Sequence, residues 1–197
     1  MSELDKLSLE GYIQHIQKMP WEGFIAEAFR KSGTFYVSTL YEQAVKTKAK
    51  TIMELGVMIG QSTRALLRAA IENNGHLYSI ELGNVTLPLV GEAMKLGGMD
   101  TTFWTPIQGD DLEVAKTWTI PIDLLLIDTS HEYENTVKEL EAYSKLVVSQ
   151  GIIIMHDSYY PPVKQAIDDW MKLHGEWLFE DITPPNDGWG LGLLRRK

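Results

Sequence analysis

Two short stretches, IDTSHEY at 127–133 and MHDSY at 155–159, put Asp128, His131, His156 and Asp157 at the ends of two apolar runs. Two carboxylates brought into one cleft repel unless a proton or a cation separates them. The chain has no cysteine, so a metal there would be held by carboxylate, imidazole or water oxygen, and a hard divalent cation is favoured. His131, three residues after Asp128, reads either as a general base or as a residue capping a helix that begins near Glu134. Side chains alternate along a strand, so His156 and Asp157 share a cleft only if the strand has ended there, and Asp157 is the preferred ligand.

A second group surrounds the stretch TIMELGVMIGQST at 51–63, where a buried strand runs into Gly56, Gly60, Ser62 and Thr63. The turn after the first strand of an open α/β sheet offers amide N–H groups and a positive helix end to a ligand. Gly56 and Gly60 let the backbone approach that ligand, and Ser62 and Thr63 either cap the helix or bond a ligand carboxylate. Glu81 ends the second strand, where an acid accepts from ribose hydroxyls. GDD at 109–111 follows the third strand and Asp128 ends the fourth. An acidic rim suits a ligand with several donors and little negative charge, and a pyrophosphate fits it poorly. A nicotinamide-dependent oxidoreductase would share the ribose acid but should carry the three-glycine turn, which is missing.

The elements that position these residues follow from periodicity. Residues 7–31 and 36–48 show helical spacing broken near Pro20 and Gly33. Strands are predicted over 51–57, 76–82, 101–109, 122–130 and 151–157, alternating with helices over 62–75, 87–98, 111–118, 134–150 and 162–175. That alternation predicts a parallel sheet covered by helices on both faces, with the apolar runs IDLLLID and GIIIM at its centre. Segments 176–183 and 188–197, joined by PPNDG, predict a closing antiparallel hairpin. The expectation is a single domain over 1–197 with 1–48 as a helical preface. Trp21, Trp170 and Trp177 read as core, and His15, His76 and His174 as surface or packing residues. Tyr159 and Tyr160 overhang the proposed site, although Pro161 and Pro162 fit a helix start equally well.

Composition narrows the partners. With 197 residues, 44% of them hydrophobic, the chain can bury one sizeable core. A net charge of -9 argues against nucleic acid and anionic membranes as partners. No apolar run reaches the roughly 18 residues of a membrane helix, and the opening MSELDKLSLEGY lacks the features of a signal peptide, so a cytoplasmic protein is expected.

Taken together, ELGVMIGQST, LYSIEL, GDD, IDLLLIDTSHEYENTVKEL, GIIIMHDSY and the terminal hairpin resemble the class I S-adenosylmethionine-dependent methyltransferases. The resemblance is narrower to the metal-assisted small-molecule O-methyltransferases of the macrolide-sugar and cephalosporin-tailoring branch, and more distant to catechol O-methyltransferase. It covers about residues 36–197. It implies a Rossmann-like, mainly parallel seven-stranded sheet of order 3-2-1-4-5-7-6. It also implies S-adenosylmethionine as methyl donor and a small hydroxylated acceptor, and leaves a homo-oligomer open. Position by position, it puts Glu54 and Gly56 near the methionyl end of the cofactor and Gly60 and Ser62 near its carboxylate. Glu81 falls on the ribose, Asp110 beside the adenine amino group, and Asp128 on the cofactor rim. Asp128 and Asp157 match ligands for Mg2+ or Mn2+, with His156 where relatives have glutamate, and His131 matches the base. Met58 stands where many relatives have a glycine. These two departures keep open a second reading, a protein of the same fold that binds cofactor without catalysis.

Overall fold

The strand and helix signals become a layered structure because each strand has two apolar faces to cover. The computed structural model describes residues 36–83 and 86–197, with Gly11, His15, residues 18–20 and Gly23. The predicted helix over 7–31, and Trp21 with it, lies almost wholly outside the described residues. The elements are α1 (Tyr36–Lys46), β1 (Thr51–Leu55), α2 (Gln61–Asn73), β2 (His76–Glu81), α3 (Thr86–Leu96), β3 (Trp104–Gln108), α4 (Asp111–Thr117), β4 (Ile122–Ile127), α5 (Tyr133–Tyr143), β5 (Val147–His156), α6 (Pro161–Leu173), β6 (Trp177–Asp181) and β7 (Leu191–Arg196).

Among the described residues the strands form one seven-stranded sheet, ordered β3-β2-β1-β4-β5-β7-β6. The first five pair in parallel, and β7 runs antiparallel to both β5 and β6. Alternation divides the central strands between two cores. Ile52, Leu124, Leu126, Ile152 and Ile154 point to the side covered by α1, α2 and α3. Met53, Leu55, Leu125, Ile127, Ile153 and Met155 point to the side covered by α5 and α6. Trp170 and Trp177 are buried in this second core, as expected.

Several strands are shorter than expected, the fourth ending at Ile127, and two boundaries differ for a visible reason. The helix predicted over 134–150 ends at Tyr143, passes through a 3-10 turn at Ser144–Leu146, and gives way to β5 at Val147. The apolar run LVV fits either element, and strand pairing decides it. Ile122 pairs with Val147, and the register then shifts so that Leu124 meets Ile152. Gly151 permits this irregularity, since a Cβ there would lie 2.7 Å from the Val147 side chain and 2.9 Å from the Asp123 carbonyl oxygen. The strand predicted from Thr101 starts instead at Trp104, because Asp100 accepts from the Thr102 amide at 3.0 Å and caps a 3-10 turn.

The hairpin is locked to the sheet by Arg196. Its guanidinium donates to the carbonyls of Val147 at 2.6 Å, Val148 at 3.0 Å and Ser144 at 2.9 Å, and lies 4.5 Å from the Trp177 ring centroid. Arg196→Met keeps the aliphatic stem but strands those carbonyls. It is expected to cost about 2–3 kcal/mol, lowering Tm by roughly 5–10 °C in a thermal melt.

Candidate active site

The sheet order reverses at β1, whose chain continues outward to β2 and β3 while β4 lies on its other side. Ligands of open α/β sheets bind where the strand ends diverge at such a reversal. Here the junction is very close. Asp128 donates its amide to the Leu55 carbonyl at 3.0 Å, and a Cβ on Gly56 would lie 2.0 Å from the Asp128 carbonyl oxygen. Gly56 also has φ of 88°, so its lack of a side chain answers two demands at once. Gly60, at φ 77°, is the N-cap of α2 and makes no side-chain cap.

Ser62 and Thr63 therefore do not cap the helix. Both hydroxyls donate to Glu54 Oε1, at 2.6 and 3.0 Å, and the Ser79 hydroxyl donates to Oε2 at 2.5 Å. Glu54 is fully buried. Burial pushes its carboxyl up to about 7, against the opposing pull of the three hydroxyls. Its oxygens, and the Ser62 hydroxyl, are turned into the protein rather than towards the cleft.

Glu81 and Asp110 lie on the rim. Glu81 Oε2 accepts from the amides of Val57 at 3.0 Å and Met58 at 3.1 Å, and Oε1 from Gly83 at 2.9 Å. Partial burial opposes ionisation, but these amides outweigh it and hold the carboxyl below its ordinary value. The amides of the turn thus meet Glu81 in this state. Asp110 caps α4, its Oδ1 accepting from Leu112 at 2.8 Å and Glu113 at 3.2 Å. Met58 is three-quarters exposed and sits at φ 48°, a left-handed conformation that glycine adopts more readily.

Beside this rim, Asp128, His131, His156 and Asp157 converge, with one ligand atom from each lying within 4.8 Å of the others. His131 Nε2 lies 2.8 Å from Asp157 Oδ2 and 3.4 Å from Asp128 Oδ1. His156 Nδ1 lies 2.7 Å from Asp157 Oδ2 and 3.2 Å from Asp128 Oδ1. Both His156 and Asp157 reach the cleft because β5 ends at His156 and Asp157 turns into the left-handed region, φ 55°. His131 is left-handed as well, at φ 57°, and the N-cap of α5 is Glu132, so His131 does not serve as the cap. Strained backbone at strand ends is a common mark of functional sites.

The charges in the cluster balance. Bonds to Asp128 and Asp157 push His131 up to about 9. For His156, burial pulls downward, but the same two carboxylates prevail and push it up to about 10. Asp157 is held well below the carboxylate range, with the two histidines outweighing burial. With both imidazoles protonated the cluster is two cations on two anions, while the buried Nε2 of His156 meets no hydrogen-bond partner among the described residues. The donor set also fits a divalent cation. Separations of 2.7–3.4 Å match the edges of a coordination shell with bonds of about 2.1 Å, and two imidazole nitrogens favour Mn2+ over Mg2+.

Nothing in the sequence marks Tyr36 as a site residue. It opens α1 fully buried, donates to Asp128 Oδ2 at 3.4 Å, and packs its ring 4.0 Å from that of His156. Tyr160 meets the His131 ring edge-on at 6.4 Å, whereas Tyr159 turns to the hairpin and donates to Asp181 at 2.7 Å. Helix α6 starts with Pro161 at its first position, so the helix-start reading of the prolines holds. His174 stacks on Trp170 and His76 bonds Thr105, both packing roles. A cavity of about 400 Å³ lies at the far end of the sheet, beside Lys46, Gln150 and Arg195, remote from these residues.

Residues 53–158, which carry the rim and the cluster, match the family described as a methyltransferase domain. The chain belongs to that family. This methyltransferase-family chain is 27% identical over 123 residues to the O-methyltransferase hkm8 of Aspergillus hancockii, covering 59% of the chain and 46% of that protein. It thus spans about half the length of this curated relative. Its fold matches the O-methyltransferase TomG of Streptomyces achromogenes, solved with S-adenosylmethionine (SAM), at a TM-score of 0.71 and 16% identity, covering 100% of each chain. An O-methyltransferase of Bacillus cereus in complex with S-adenosylhomocysteine (SAH) gives a TM-score of 0.71 at 14% identity, covering 98% of this chain and 100% of that one.

The Gly56 junction yields a comparison. Gly56→Ala meets both a left-handed φ and the Asp128 backbone, whereas Gly98→Ala, at φ 79°, has nothing within 4 Å of its new Cβ. Urea unfolding is expected to show a loss of about 1–2 kcal/mol for Gly98→Ala and about 3 kcal/mol or more for Gly56→Ala.

Proposed function

We propose that this methyltransferase-family protein transfers a methyl group from SAM to a hydroxyl of a small molecule. The observation that carries the reading is the placement of an acidic rim and a titratable cluster side by side at the reversal of the sheet. The relatives support the donor and the reaction, since hkm8 is named an O-methyltransferase and TomG was solved with SAM.

In this reading Glu81 accepts from the ribose hydroxyls with the lone pairs left over from the turn amides. Gly56 and Gly60 shape the turn around the methionyl group, and Asp110 faces the adenine edge. Glu54 and Ser62 act indirectly, by fixing that turn from inside. Methyl transfer needs the acceptor oxygen, the methyl carbon and the sulfonium sulfur in line, and the protein supplies much of the rate by holding them so. The acceptor oxygen bonds to the methyl carbon as the carbon–sulfur bond breaks, leaving SAH, and the hydroxyl proton goes to a base.

His131 is the residue placed to take that proton, being half-buried at the mouth of the cluster beside Tyr160. Its bonds to Asp128 and Asp157 keep it protonated at neutral pH, so it becomes a base only when those carboxylates are otherwise engaged. Asp128, Asp157 and His156 would hold a divalent cation, which when bound would lower the pKa of the acceptor hydroxyl. The same oxygens cannot serve both the imidazole protons and a metal, so loading should release protons.

Calorimetry tests the donor first: SAM or SAH is expected to bind, NAD is not, and Glu81→Gln should weaken SAM by about 1–3 kcal/mol. No SAM binding, or tighter NAD binding, would reject the assignment. For the base, His131→Ala is expected to slow turnover by about two to four orders of magnitude with SAM affinity retained. Turnover that survives both EDTA and His131→Ala would leave alignment of the reactants as the whole of catalysis. Titration with Mn2+ should show heats that vary with the ionisation enthalpy of the buffer, the sign of protons leaving His131 or His156; buffer-independent heats would count against these carboxylates as ligands.

A further inference from the structure

We propose that Glu139 is a positioning residue, a buried carboxylic acid that ties the loop carrying Asp128 and His131 to the first turn of α4 beside Asp110. The inference rests on the methyl-transfer reading for its functional half, and on geometry for the rest. Glu139 projects inward from α5 and is fully buried. Its Oε1 accepts from the Thr129 hydroxyl at 2.6 Å and from the Asn135 amide at 2.6 Å. Thr129 is the residue between Asp128 and the turn to His131, so this bond holds the loop directly.

The second oxygen explains why an acid is needed. Oε2 is shut off from solvent and meets no donor among the described residues, and the group it faces is the carboxylate of Asp111. A carboxyl cut off from solvent beside a second acid favours its protonated form. Asp111 keeps part of its surface exposed; Glu139 keeps none. Burial first, and Asp111 second, push Glu139 up to about 9, so at neutral pH it carries a proton that it can donate to Asp111.

One turn further along α5, the Tyr143 hydroxyl donates to the Asp111 carbonyl at 2.7 Å, so the same helix also holds the Asp111 main chain. The titratable groups facing Glu139 are Asp111 from α4 and Tyr143 from its own helix, and Thr129 and Asn135 are its neutral partners. Through this one side chain, the adenine-side residue Asp110 and the base loop are held in register.

Three variants test the idea. Glu139→Leu removes every bond, and is expected to weaken SAM affinity about tenfold and to lower turnover at least tenfold. Glu139→Gln should rescue both to within about threefold, because its carbonyl can accept from Thr129 and Asn135 while its amide donates to Asp111. Thr129→Val breaks only the loop side, and should lower turnover while leaving SAM affinity unchanged. If Glu139→Leu does not fold, the Gln and Val variants still decide the matter.

A second readout needs neither SAM nor an acceptor. A carboxyl whose folded value is raised contributes stability that is full below the unfolded value near 4.5 and is lost as pH rises towards about 9. Glu139→Gln removes that loss, so its Tm should gain on wild type steadily between pH 4.5 and 9. Taking the difference cancels Glu54, His131 and His156, whose raised values move stability in the same direction. Parallel Tm–pH curves for wild type and Glu139→Gln, or a folded Glu139→Leu with full SAM affinity and turnover, would overturn the proposal. Failure of SAM to bind wild type would instead reject the methyl-transfer reading and leave the Tm test standing.

Discussion

The arrangement depends on a carboxyl group that water never reaches. Glu54 gathers hydroxyls from the start of α2 and from β2, and Ser79 in turn accepts from the Trp104 indole N–H at 2.9 Å. Four parts of the chain, β1, α2, β2 and the first residue of β3, are joined through one acid. A buried carboxyl is tolerable only when its oxygens are satisfied, and the network meets that condition with both oxygens occupied. The turn from Gly56 to Gly60 is therefore clamped from beneath.

The opposite side of the sheet reversal is built on another principle. The cluster of two aspartates and two histidines takes a hydroxyl from Tyr36 on Asp128 and otherwise balances its charge internally, over backbone held in left-handed conformations at His131 and Asp157. One half of the cleft is held by hydroxyl and amide donors on carboxyl oxygens, the other by imidazole–carboxylate pairs.

Much of this was legible in the sequence, and the reasons differ from residue to residue. Unbroken apolar runs alternating with helical spacing fit strands covered on both faces, and the short PPNDG turn gave the hairpin. The carboxylates and imidazoles at 128, 131, 156 and 157 stood at strand ends and could be expected to meet. Hidden were the relations set by three-dimensional packing. Glu54 looked like a ligand group because sequence shows that an acid follows a strand's core, not which way its carboxylate turns. Tyr36 lay in a helical preface with nothing to mark it. The end of α5 at Tyr143 was fixed by pairing with Ile122, a contact across the sheet that local periodicity does not encode.

The hairpin adds a temporal constraint. Strand β7 lies between β5 and β6, and the loop before it holds the turn at Asp157: the Trp189 carbonyl accepts from the Tyr159 amide at 3.0 Å, and the Gly190 carbonyl from Ser158 at 3.3 Å. A ribosome makes all four charged side chains of the cluster before it makes the segment that seats them. A nascent chain thus carries all four side chains of the cluster before it carries the loop at Trp189 and Gly190 that bonds the turn after β5.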